Sequence, residues 1–228
     1  MKVRAITVGI EPGFPLDFQR ITAAGRFAAR VRAACEDFGL PVQTVRLATP
    51  PFPLYLESCT DLAIISFAGE LERCCRDNGI DYCALGPANP SGTEGETERR
   101  FLSLLPALIA QTESVFASAI LGASGQPTHI PTVQAIADVI RQIACSTPAG
   151  FGNLRFAALV NCPPHIPFFP AAFHAGEPAF ALALEAADVV ATACAPGLDL
   201  MEVRAALCRA LEKRILPLQH IAQRLAGQ

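Results

Sequence analysis

The chain has 228 residues, 51% hydrophobic and 17% charged, with a formal net charge of -3. That balance excludes a disordered chain, and without a dense Lys/Arg block it lacks the electrostatic footprint of a nucleic-acid binder. No run reaches the roughly 20 uninterrupted apolar residues of a spanning helix, and Met1-Lys2-Val3-Arg4 leads into a strand-like run rather than a signal-peptide core, so the expected setting is cytoplasmic, with no membrane partner.

Residues 3–10 read as a strand, 11–15 as a turn and 17–38 as a helix. In that helix Ile21, Ala24, Ala28, Val31, Cys35 and Phe38 recur at spacings of three and four, which makes one apolar stripe. Asp17 is placed to cap its start, and Gly39 followed by Pro41 ends it. A second strand spans 42–48, and the proline-rich stretch 49–53 forces an extended connection. The next helix carries Ile64, Phe67, Leu71 and Cys74 on its apolar face and stops at Asn78-Gly79, before a third strand at 81–85.

The polar loop 86–95 leads into a helix at 97–111, which contains Pro106. A fourth strand is expected at 114–121 and a helix at 131–144, with Val133, Ile136, Ile140 and Ile143 facing inward. The fifth strand falls at 154–161, a short helix at 177–185 and a sixth strand at 188–194. A last helix follows, started by a capping box of Asp199 and Glu202 and holding Pro217.

Strands alternating with helices of this length predict one α/β domain over residues 1–228. Its repeated strand-helix units pair largely in parallel through right-handed crossovers, and the sheet, a half-barrel or barrel-like, is buried on both faces. Nine cysteines, an odd number with no CxxC pair, suit reduced thiols in a cytosol.

Ligands of such sheets lie beyond the carboxyl ends of the strands, which directs attention to Glu11, Thr49, Asn89, Ser124, Asn161 and Cys194. The segment 161–177 is the most unusual: four prolines, three phenylalanines, Cys162, His165, His174 and Glu177 follow a buried strand. His174 and Glu177 would share a face if helical. No standard ligand spacing is present, so no metal is assigned, and the rigid-loop reading of the same residues stands beside it. A Cys162/His174 nucleophile pair depends on whether the fold brings the two together. Imidazole titrates near neutrality, so the site expected is His174 as acid/base with Glu177 orienting it, and with Glu11, Thr49 and Asn161 positioning a small-molecule substrate. Loops 86–95 and 122–125 are glycine-rich but carry neither a P-loop lysine nor a dinucleotide fingerprint, and no cofactor is named.

Phe168-x-x-Ala171-Ala172-Phe173-His174-x-x-Glu177, followed by Ala195-Pro196-Gly197, resembles the signature of the DUF711 (UPF0210) family of bacterial and archaeal proteins. The opening strand from Val3 to Ile10, the Arg46-Leu47-Ala48-Thr49-Pro50 stretch and the region from Ser118 to Gly125 are similar to family segments in the same order. Ala171 and Ala195 stand where the family usually has Gly and Ser. The resemblance implies a pyruvate formate-lyase-like barrel of ten strands, of which this chain matches the first half, and it implies no established reaction. It also implies that a second copy or a separate chain covers the open edge, or that the fold is closed differently. Function therefore divides between an enzyme acting on a small molecule at the strand exits and a noncatalytic half-barrel that works by homo- or hetero-oligomeric assembly.

Overall fold

The computed structural model describes residues 1–89, 95–125, 127, 129–194, 197 and 199–226. Its elements run β1 (Lys2–Gly9), α1 (Phe18–Asp37), β2 (Val42–Ala48), α2 (Pro53–Leu56), α3 (Asp61–Asp77), β3 (Tyr82–Pro87) and α4 (Glu96–Gln111). Then follow β4 (Val115–Gly122), α5 (Ile130–Ser146), a 3-10 turn (Pro148–Arg155), β5 (Phe156–Val160), β6 (Ala179–Glu185), α6 (Ala187–Ala193) and α7 (Leu200–Ala226). No helix among the described residues is long and apolar enough to cross a membrane.

The six strands form one open sheet in the order β5-β4-β3-β2-β1-β6, parallel throughout except for β6, which pairs antiparallel with β1. From β1 to β5 each new strand is added on the same side of the last. Right-handed crossovers that always step the same way leave every helix on one face, the geometry of a barrel wall rather than of a doubly wound sheet. Accordingly α1 touches α3, α3 touches α4, α4 touches α5, and α7 closes the row beside α1. The result is an open half-barrel with its helices outside.

The outer face carries the main apolar core. Ile6 and Val8 of β1, Val45 and Leu47 of β2, and Cys83 and Leu85 of β3 meet Ile21, Val31, Ile64, Leu71, Leu105 and Leu108 of the helices. Asp17 caps α1 by accepting from the N–H groups of Gln19 and Arg20 at 3.0 and 3.2 Å, and Asp199 and Glu202 form the expected capping box.

Three expectations change. The sheet is not covered by helices on both faces; the long β5–β6 connection lies over the inner face instead. Residues 177–185 and 188–194 exchange roles: β6 occupies the expected helix, and α6 the expected strand. Ala179-Phe180-Ala181-Leu182-Ala183-Leu184 has strong helix formers but also a strict period of two. Its alanines sit on the inner face while Phe180, Leu182 and Leu184 pack against the outer core, so tertiary packing overrides propensity. Cys194 is consequently a helix C-cap and leaves no strand. Smaller changes concern Phe38, an exposed C-cap, and α5, where Thr132, Ile136, Val139 and Ile143 face inward while Ile140 is exposed.

Candidate functional site at the strand exits

Side chains alternate along a strand, so Thr7 and Gly9 point away from Ile6 and Val8 toward the inner face. The register Gly9↔Ala48 and Gly9↔Ala179 sets small residues on both sides of Gly9, while Thr7 lies between Arg46 and Ala181. Onto this floor folds the β5–β6 connection. Phe169 stacks edge-on to Phe116 with centroids 5.2 Å apart, and the Arg46 guanidinium lies 5.0 Å over its ring. Farther along, the His174 backbone N–H donates to the Thr49 carbonyl at 2.9 Å, and the His165 N–H to the Phe173 carbonyl at 2.8 Å.

These anchors drive His174 into the sheet. Its ring is 1% exposed and rests on Gly9: a Cβ built there would fall 2.4 Å from Nδ1, so only glycine accepts the imidazole. Nε2 lies 3.0 Å from the Gly176 carbonyl, which can only accept, so Nε2 carries the proton and Nδ1 is left as a bare acceptor. Nδ1 is buried without a partner among the described residues, and so is the Thr7 hydroxyl. Both residues line one cavity of about 30 Å³, bounded by Gly9, Ala48, His165, Ile166, Phe173 and Ala179–Ala181. Two residues with unpaired polar atoms lining one water-sized space can form a hydrogen-bonding site for a single small polar group.

Burial pushes the His174 pKa below its ordinary value; the Gly176 carbonyl opposes the shift and His165, 5.2 Å away ring to ring, adds to it. The ring is therefore neutral at physiological pH, a proton acceptor rather than a donor. His165 is exposed, with a left-handed φ of 68°, and walls the cavity on the solvent side.

The five residues singled out in the sequence gather at the strand-exit end of the sheet but not in one cavity. The Thr49 hydroxyl donates to the Pro50 carbonyl at 2.9 Å and accepts from the Tyr55 hydroxyl at 3.0 Å, so its side chain is spent and its carbonyl holds His174. Burial raises the Tyr55 pKa, which keeps that donor protonated. Glu177 is exposed and lies in a bend rather than a helix; the group that orients the imidazole is the Gly176 carbonyl. Asn161 is exposed at the end of β5, with φ 51° and its N–H donating to the Gly122 carbonyl at 3.2 Å. Glu11 is exposed and lines a different, larger cleft outside β1.

Other candidates take structural parts. Asn89 is buried and exchanges two 2.7 Å hydrogen bonds with the backbone of Ile120, acting as a spare piece of strand. The Cys162 thiol sits 3.9 Å from the Pro163 and Ala171 carbonyls, and burial raises its pKa, the reverse of an activated thiolate. Residues 90–94 of the polar loop, Ala195 and Pro196 lie outside the described residues. Among those described, no three His, Cys, Asp or Glu side chains converge as metal ligands.

Thr7 and Gly9 escaped the sequence reading, although each left a trace. A threonine between Ile6 and Val8 is a polar side chain in a buried strand, and a glycine ending that strand signals close approach by another group.

The sequence is similar to those of longer proteins. The chain is 26% identical over 189 residues to a UPF0210 protein of Bifidobacterium animalis, covering 76% of this chain and 42% of that protein. A UPF0210 protein of Clostridium beijerinckii is 27% identical over the same shares, and one of the archaeon Methanococcoides burtonii is 26% identical over 71% of this chain and 36% of its own. The chain thus spans about two-fifths of the length of these relatives. A family model described as uncharacterised ACR (DUF711) matches residues 1–228 from end to end, and the chain belongs to that family.

Proposed function

We propose that the chain is an enzyme acting on a small molecule at the strand-exit end of the half-barrel, with His174 as proton acceptor. One observation carries the reading: Nδ1 of a neutral, fully buried imidazole has no partner among the described residues, and His174 lines the same cavity as Thr7, whose hydroxyl is equally unpaired among them. Leaving two such atoms unanswered costs on the order of 1–3 kcal/mol each, which a folded chain tolerates where a bound group answers them. In this reading Thr49 is a positioning residue, Gly176 fixes the tautomer, and Glu177 and Asn161 stand on the rim to meet the rest of the substrate. A cavity of about 30 Å³ admits only the reacting group, so a larger substrate enters by displacing the His165–Ile166 wall. A reducing, cytoplasmic setting suits the free thiols.

The test is a thermal-shift screen of small polar metabolites on the wild-type chain, His174→Ala and Thr7→Val. At least one compound that stabilises the wild type should fail to stabilise either variant. If every stabilising compound keeps its effect in both variants, the site is removed.

A second reading is favoured by one surface. Phe151 and Leu154 of the 3-10 turn that leads into edge strand β5, and Val160 at its end, are 61–69% exposed, and Phe168 is 64% exposed. With relatives about twice as long, these residues suit a half-barrel that a second copy or a partner chain completes, as the resemblance to a ten-stranded barrel implies. Light scattering decides: a dimer or larger species favours assembly, and a strict monomer at high concentration removes a second copy.

A further inference from the structure

We infer that a second binding site, distinct from the His174 cavity, lies in the cleft between α1, the outer face of β6 and the end of α7, and that it takes an apolar ammonium compound held by Glu11. The cleft has a volume of about 860 Å³, within the range typical of small-molecule sites. Its walls are apolar, with Val8, Ile10, Phe27, Phe180 and Leu225 among them, and its charged groups are Glu11 and Arg20.

The two charges are not equivalent. Arg20 is already answered: its Nε lies 3.2 Å from the Asp17 carboxylate and its Nη1 donates to the Glu11 backbone carbonyl at 3.1 Å. The Glu11 carboxylate forms no hydrogen bond or ion pair with any described residue. The charge left over at the mouth is therefore negative, which selects a cation.

The aromatic lining favours the same class. Phe27 and Phe180 meet edge-to-face with centroids 5.1 Å apart; the Arg30 guanidinium, 5.7 Å from the Phe27 centroid, shows that this ring attracts a cation, and an ammonium at Phe27 would have to share the ring with it. Phenyl faces beside a carboxylate recognise an alkyl- or arylammonium by cation–π attraction and a charge-assisted hydrogen bond together. Gly176 lines this cleft while its carbonyl holds His174, so the two sites share one wall.

An isosteric series tests the inference on the whole chain: 2-phenylethylammonium, 2-phenylethanol and phenylacetate, titrated by NMR with the methyl groups of Val8, Ile10 and Leu225 as reporters. The ammonium should bind about tenfold or more tightly than either of the others. Glu11→Gln should level the ammonium with the alcohol, and Ala23→Phe, which fills the cleft, should abolish binding of all three. Equal affinities in the wild type, a preference for phenylacetate, a preference that survives Glu11→Gln, or no shift at these methyls would each overturn it. His174→Ala should leave the ammonium affinity intact, so failure of the His174 site and failure of this one are read separately.

Discussion

The two faces of the sheet are built from the same six strands yet differ in the size and satisfaction of their side chains. The outer face presents branched and aromatic groups to a layer of helices, and its buried apolar residues form one continuous cluster. The inner face presents Ala5, Gly9, Ala48, Ala84, Ala179, Ala181 and Ala183, with Thr7 and Ser118 among them, whose hydroxyls are buried without partners among the described residues; its large side chains, Arg46, Tyr82 and Phe116, gather where Phe169 packs. Small residues let the β5–β6 connection lie close; large ones across the sheet hold the fold. Stability is concentrated on one side and unpaired polar capacity on the other.

Substitutions should separate the two. The largest loss of stability is expected on the outer face: Leu71→Ala removes a fully buried side chain of α3 and should cost about 2–5 kcal/mol in urea unfolding. The imidazole signals of His174 should stay where they are in that variant while it remains folded; movement would mean that the faces are mechanically coupled. Gly9→Ala acts from the other side. Its methyl would stand 2.4 Å from Nδ1 and 2.9 Å from Cγ of His174, so the ring or the connection must yield, at about 1–3 kcal/mol. NMR titration should then find the displaced, better-hydrated imidazole easier to protonate than in the wild type. An unchanged titration would show that the ring does not rest on Gly9.

Thr7→Val sharpens the contrast further because it exchanges an unpaired hydroxyl for a methyl of nearly the same shape. On the outer face a change of polarity would disturb packing. Here it should leave stability unchanged or raise it by about 1 kcal/mol, while weakening whatever stabilises the wild type in the screen. A loss of more than about 1 kcal/mol would mean that the hydroxyl has a structural partner after all.

The same asymmetry explains what could be read from the sequence. The outer face was legible because each of the first strand-helix units writes its burial as a stripe: Ile64, Phe67, Leu71 and Cys74 all lie where their spacing puts them. β6 was misread because alanines facing small neighbours leave no hydrophobic mark on the inner side, so an alternating strand looked like an Ala/Leu helix. His174 was legible as an imidazole in a strand-exit loop. Its orienting group was not, because a backbone carbonyl at Gly176 has no residue signature, and Glu177, the nearest side chain that could have served, is exposed. Glu11 lies at the expected end of the sheet but opens to the other side of β1, a distinction that chain order alone cannot make.

The smallest effect concerns pH. Burial holds the His174 pKa in the folded chain below the ordinary 6.5 that applies when the chain is unfolded. Between those two values the unfolded chain binds more protons, so unfolding free energy rises with pH in that window. The contribution of the neutral, buried ring is thus fully present above pH 6.5 and is lost progressively as pH falls from there through the folded-state pKa. His174→Gln has no such group. The difference in unfolding free energy between wild type and variant should be flat above about pH 7 and should shift against the wild type below it. If the difference instead moves in favour of the wild type on acidification, the imidazole is gaining a proton with profit on folding; an acid partner then holds it, and Nδ1 is not the free acceptor on which the inner-face site depends.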